Sequence, residues 1–361
     1  MFDKVSDRFI QRVIVAGLIL VSLVIVLWFL WNAADVLLLF FSGILLAVLL
    51  RALTELVSAH TRLTGRWAYG AVVLALVALF AGSGWLFASD LGGEIDNLSE
   101  TAPQSIGQLT TQIRQYEWGQ ALLERVPTEV GDGTSGRLLS QVLSGASQGV
   151  TLLAYLGIIV VVGLYLAAEP DLYVNGFVRL FPPQKRESIR DILHDVGETL
   201  QLWLLAQLLS MTTVGILIAL GLWLLGMPLV LTLSLIAGLS EFIPSIGPLL
   251  GAIPAVLVAL TVGPTKVLQV VALFVVVQIA ESNLIMPLIQ KWAVEIPPAL
   301  LIVTILMMGL LFGWLGAFVA TPLLAVTILL VKELYIEEVL DEPVELAIDD
   351  EPSFLSELSE D

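Results

Sequence analysis

Cysteine is absent from all 361 residues. That excludes disulfides, thiolate metal sites and cysteine nucleophiles, and it leaves the redox compartment open. Charge is scarce as well: Asp, Glu, Lys and Arg make up 14% of the chain, where a soluble domain carries about a quarter. Histidine occurs twice, at His60 and His194, and no HExxH, GxSxG or phosphate-loop pattern is present. Metal-assisted, serine-based and ATP-driven chemistry therefore lack their residues, and no enzyme activity, cofactor or metal site is expected. Net charge is −17, and no nucleic-acid partner is expected.

Apolar residues supply 58% of the chain, and several runs reach the ~20 residues needed to cross a bilayer. The chain reads as an all-α integral membrane protein. Full spans are expected at 10–31, 36–53, 67–88, 151–168, 200–225 and 267–290. The first run is too long for a signal-peptide core and no small-residue cleavage site follows it, so it reads as a retained helix. Polarity returns between 89 and 148. There Leu91, Ile95, Leu98, Ala102, Ile106, Leu109, Ile113 and Tyr116 recur every three or four residues, an amphipathic helical pattern interrupted near Pro103. Pro182 and Pro183 suit a helix start. Ile189, Ile192, Leu193, Val196 and Leu200 then form one apolar stripe, which predicts a helix lying on the membrane surface and feeding the span at 200–225.

Lys and Arg near membrane ends set orientation. Lys4, Arg8 and Arg12, then Arg51, Arg62 and Arg66, then Arg179, Lys185, Arg186 and Arg190, and finally Lys291 and Lys332 share one side if both termini are cytoplasmic. The segment at 89–148, with three Arg and eight acids, is then outside. Residues 333–361 hold 12 acidic side chains and no Lys or Arg, the pattern of a solvated, disordered tail. The organisation is thus scaffold helices at 1–88, an extracytoplasmic helical segment at 89–149, a fourth span and surface helix at 150–199, a transport core at 200–332 and an acidic cytoplasmic tail at 333–361.

The core carries the most information. It contains two blocks of one build: a long apolar helix, a proline step, then two half-length apolar segments. The first block steps at Met227-Pro228 and the second at Ile296-Pro297-Pro298. Between the spans at 200–225 and 267–290, the stretch 229–261 must begin and end on the same side. Its limbs of about 14 residues rise ~21 Å, short of the ~30 Å hydrocarbon core. Ile243-Pro-Ser-Ile-Gly-Pro248 separates them and cannot stay helical. A re-entrant hairpin fits, and 299–331, broken between Gly309 and Gly316, repeats the argument from the opposite side. The expected fold is six transmembrane helices plus two re-entrant helical hairpins in an inverted repeat. Broken segments at matching places in two halves mark a transporter's binding site, because backbone at membrane depth that is not helical needs protein or water around it.

Two carboxyls lie inside these blocks. Glu241 precedes the first tip and Glu281 lies in the span at 267–290. Each costs about 3 kcal/mol or more to insert, and no Lys or Arg lies between Arg190 and Lys266. Protonation or cation binding is therefore expected ahead of a salt bridge. Gln278 shares a helix face with Glu281. Asn283 lies four residues before Pro287, whose ring frees the carbonyl at i−4. Gln207 is the other deep amide, and Ser240 and Ser245 flank the tip. Pro244, Gly247, Pro248, Gly313 and Gly316 are assigned to hairpin geometry. The bland alternatives are interhelical hydrogen bonding for the amides and close packing for the glycines.

Glu169-Pro-Asp-Leu-Tyr173, Arg179-Leu-Phe-Pro-Pro183, Glu241-Phe-Ile-Pro-Ser-Ile-Gly-Pro248, Gly251-Ala-Ile-Pro254, Gln278-Ile-Ala-Glu-Ser-Asn283 with Pro287, and Pro297-Pro298-Ala299 stand in an order and spacing that resembles the autoinducer-2 exporter family of bacterial inner-membrane proteins. The resemblance covers about residues 150–335. It implies a secondary carrier coupled to protons or ions, exporting a small polar solute such as autoinducer-2, with Na⁺/H⁺ antiport as the alternative. It also implies a homo-oligomer, pentameric in the family. A rival of another class is a non-transporting envelope organiser that docks partners through 89–148.

Overall fold

The computed structural model describes residues 3–62, 65–79, 81–82, 84, 154–285 and 296–337. The expected segment at 89–149, most of the acidic tail and Pro287 lie outside them. The described residues are helical throughout, with turns between helices. Helix α1 is Asp3–His60, α2 is Arg66–Leu79 and α3 is Ala154–Ala168. Helix α4 is Pro170–Val178, bent 85° from α3 at Glu169-Pro170, where proline cannot continue the preceding helix. Helix α5 is Arg186–Leu224, α6 is Val230–Ser240, α7 is Gly247–Val262, α8 is Pro264–Ala280 and α9 is Pro298–Val331.

Among the described residues, four helices are long and apolar enough to cross a membrane, or five if the bent pair α3–α4 counts as one span. Two expected breaks are not present. The spans at 10–31 and 36–53 are a single helix of 58 residues, roughly 87 Å long at ~1.5 Å per residue. Asn32-Ala-Ala-Asp35 contains neither Gly nor Pro, and Ala is the best helix former, so nothing there reverses the chain. The cytoplasmic placement of the N-terminus, which needed that reversal, loses its support. Likewise the surface helix after Pro183 and the span at 200–225 form one helix of 39 residues. The C-terminal end of the expected surface stripe joins the core: Val196 and Leu200 pack with Leu38, Leu39, Leu45, Leu315 and Val319.

Helices α6 and α7 fold back on one another as a hairpin. A Cβ on Gly251 of α7 would lie 2.7 Å from the Cα of Ala237 in α6, so only glycine permits that approach. The pair packs against the distal half of α5 and against α8 around Ile218, Leu222, Leu233, Ala255, Val258 and Val270. Lys266 at the start of α8 donates its ammonium to the Leu225 carbonyl, capping the C-terminal end of α5 where cations are favoured.

Helix α9 is interrupted at Gly313, with φ 64° and ψ −148°, a conformation that is essentially glycine-only. A Cβ on Gly309 would sit 3.6 Å from that of Ala317. Eight residues of straight helix would hold them about 12 Å apart, so the chain turns back here too. Both expected foldback points are therefore present, at 241–246 and around 313. The second hairpin packs against α1 and α5, and α1, α2 and α3 share a third cluster around Leu50 and Val72.

Candidate functional site

Helix α5 organises the site. Thr199, Trp203, Gln207 and Ser210 follow at intervals of four, four and three residues, which places them on one helical face. Gln207 donates its amide to the backbone carbonyl of Glu241 at 2.6 Å, fixing the tip of the first hairpin to α5. One turn on, Ser210 donates its hydroxyl to Glu281 Oε1 at 2.8 Å. Gln278 donates to Glu281 Oε2 at 2.9 Å, as the shared helix face predicts. Glu241 is 3% exposed and Glu281 5%, and the two carboxyls are close neighbours. One comes from the hairpin after α5 and the other from the end of α8.

The two carboxyls differ in their partners. Glu281 has a donor on each oxygen. Glu241 keeps one buried oxygen, Oε2, with no hydrogen-bond partner. Buried polar atoms are nearly always satisfied, which sets this oxygen apart from both oxygens of Glu281. The Thr199 and Thr321 hydroxyls are also buried and unbonded. Chemically, the cluster presents oxygen acceptors, hydroxyls and two amides around a pair of acids.

The tip that carries Glu241 is built tightly. The Ser240 carbonyl accepts from the Ile243 N–H at 3.1 Å, and the Ile243 carbonyl accepts from the Gly247 N–H at 2.8 Å. A Cβ on Gly247 would collide with the Ser240 carbonyl and approach the Glu241 Cα to 2.8 Å. Gly316 meets the same demand in the second hairpin, where a Cβ would strike the Met308 carbonyl. Pro244 is buried, and Ser245 is exposed with φ 67°, a left-handed conformation that costs a non-glycine residue about 1–2 kcal/mol. Pro248 stands in the first turn of α7, where proline's missing N–H is tolerated.

Not all expected residues converge. Asn283 is exposed and donates to the Ile279 carbonyl of its own helix at 2.8 Å. Ser245 faces outward from the tip, and Ser240 is half-buried without a bond to either carboxyl. Immediately after α8 the backbone widens into a π-turn at Glu281–Ile285, a feature frequent at functional sites. Sequence reasoning missed Ser210 and the aromatic residues. The Phe242 ring stacks on Phe318 at 4.1 Å and 14°, and Trp203 meets Phe242 edge-on at 5.7 Å. Trp314 lies 6.4 Å from Phe318 and 6.5 Å from Tyr155. The two hairpins thus touch through aromatic residues beside their tips. The signal for Ser210 was its interval of three from Gln207; the Phe242–Phe318 contact has no local signal.

Known proteins resemble this chain along most of its length. It is 26% identical over 267 residues to "Putative transport protein YrrI" of Bacillus subtilis (strain 168), covering 71% of this chain and 75% of the relative. It is 26% identical over 266 residues to "Putative transport protein YueF" of the same strain, covering 70% and 71%. With "Putative permease PerM" of Escherichia coli (strain K12) it shares 25% over 176 residues, covering 48% and 50%. A family model described as "AI-2E family transporter" matches residues 18–336, nearly the whole chain, and with it the carboxyl pair, both hairpins and the helices that hold them: the protein belongs to the AI-2E transporter family.

Proposed function

We propose that the protein is a secondary transporter of the bacterial inner membrane that moves a small polar solute such as autoinducer-2, coupled to a proton or ion taken up by Glu241 and Glu281. The observation that carries this reading is the meeting of two buried carboxyls, one from each block, with Glu241 Oε2 unbonded. Two carboxylates side by side in apolar surroundings cannot both remain charged without a counterion. Binding and release of one positive charge then changes how firmly the first hairpin is held to α8, and so how the site opens. In this reading each long helix with its hairpin forms one unit, α5 with α6–α7 and α8 with the folded α9. The units have opposite topology, and the hairpins re-enter from opposite faces. The basic residues around Arg51, Arg62, Arg66, Arg179, Lys185, Arg186, Arg190 and Lys332 support placing the C-terminal end in the cytoplasm.

The test is transport by purified protein in liposomes with an imposed pH gradient. Glu281→Gln is expected to lower the rate about tenfold or more, equivalent to ~1.4 kcal/mol, and to flatten its pH dependence. An unchanged rate with an unchanged pH profile would sink the coupling role. Oxygen-rich surroundings also suit Na⁺, so the assay is run with and without sodium. Proton flux driven by sodium alone would favour Na⁺/H⁺ exchange over solute export.

A further inference from the structure

A cavity of about 840 Å³ lies between α1, α4 and α5, away from the carboxyl pair. It falls within the roughly 300–1,000 Å³ of small-molecule pockets. Along α1 its wall is made by Phe41, Ile44, Val48, Arg51 and Glu55, at alternating intervals of three and four, so all share one face. That face is apolar for two turns and then presents a cation and an anion. Across the cavity, α5 repeats the arrangement. Val196 and Leu200 continue the apolar surface, while Glu198 and Gln201 line the same cavity as Glu55, with Gln201 donating to Glu55 Oε2 at 3.2 Å.

The third wall fixes its depth. Helix α4 contributes Tyr173 and Phe177, and it leaves α3 at 85°. If α3 runs along the membrane normal, α4 lies in the plane of the bilayer surface. Its exposed Leu172, Tyr173 and Phe177 are the side chains of an interfacial helix. The charged end of the cavity is then at headgroup level and its apolar end at acyl-chain level.

We propose that this cavity is a binding site for one aminophospholipid. The Arg51 guanidinium faces the phosphate, a pairing that its planar fork of donors suits. The primary ammonium lies at Glu55 and Glu198, and an acyl chain runs along the apolar faces of α1 and α5. Charge complementarity selects the headgroup. An anionic headgroup would satisfy Arg51 but leave two carboxylates facing a negative charge. A quaternary ammonium carries no N–H for them to accept.

Gly197 lines the cavity, and a Cβ there meets nothing within 4 Å. Gly197→Leu therefore fills the cavity while improving helix propensity, which separates lost lipid binding from lost folding. The experiment is native mass spectrometry of the full chain, extracted in mild detergent from vesicles of equal phosphatidylethanolamine and phosphatidylcholine. The wild-type protein is expected to retain one phosphatidylethanolamine per chain, in preference to phosphatidylcholine by about tenfold. Gly197→Leu and Arg51→Ala each remove that adduct, and Glu198→Gln retains lipid but loses the headgroup preference. Equal retention of the two lipids by wild-type protein, or an undiminished adduct in Gly197→Leu, overturns the proposal. So does a wild-type protein without lipid whose oligomeric mass changes on Gly197→Leu, which would give the cavity to a second copy of the chain.

Discussion

At the residue scale the two acids are not equivalent, because Glu281 is held by Ser210 and Gln278 while Glu241 keeps an unbonded oxygen. Removing a donor from Glu281 leaves a buried acceptor unsatisfied, at a cost of about 1–3 kcal/mol. Ser210→Ala is therefore expected to weaken ion coupling without abolishing transport, seen as a shifted pH–rate profile in liposomes. An unmoved profile would assign Ser210 to packing alone. Ser245 offers a second handle. Its left-handed backbone costs about 1 kcal/mol that glycine does not incur, so Ser245→Gly is expected to raise the melting temperature in detergent by a few degrees. Both acids and both amides were legible in the sequence, because polar groups in long apolar runs stand out. That Glu241 and Glu281 lie together was expected only from the repeat of the two blocks, since residues 40 positions apart carry no local signal of a tertiary contact. Asn283 shows the opposite error: a polar group in the right stretch that satisfies its own helix.

At the element scale, the foldback points were readable because they rest on local covalent facts. Proline lacks an N–H, glycine reaches positive φ, and a limb of about 14 residues is too short to span. The continuity of α1 and α5 was misread for a related reason. Separate spans were expected at 10–31 and 36–53, and a surface helix was expected to feed the span at 200–225, but Asn32-Ala-Ala-Asp35 contains no Gly or Pro and α5 runs unbroken from Arg186 to Leu224. Glycine at 313 is the sharpest test of the second hairpin. With φ 64° and ψ −148°, Gly313→Ala is expected to cost about 1–3 kcal/mol and to lower transport, whereas Gly309→Ala, whose Cβ meets only Ala317 at 3.6 Å, is expected to be nearly silent. Equal, small effects at both positions on melting and transport would mean that the turn at 313 is not needed.

At the scale of the whole molecule, the two hairpins meet through aromatic rings. Phe242 at the first tip stacks on Phe318 of the second hairpin at 4.1 Å, and Trp203 closes on Phe242 from α5. An aromatic pair of this kind contributes about 0.5–1.5 kcal/mol beyond area burial, strong enough to favour one arrangement and weak enough to break within a transport cycle. If the blocks separate to admit a passenger to Glu241 and Glu281, the stack must open. The chain's lack of cysteine makes the test clean, because Phe242→Cys with Phe318→Cys introduces the sole pair of thiols. Oxidative cross-linking is expected to halt transport and reduction to restore it, while each single cysteine retains activity. Transport that persists in the cross-linked protein would mean that the hairpins move as one body, and that opening of the carboxyl pair is controlled from α5 or α8 instead.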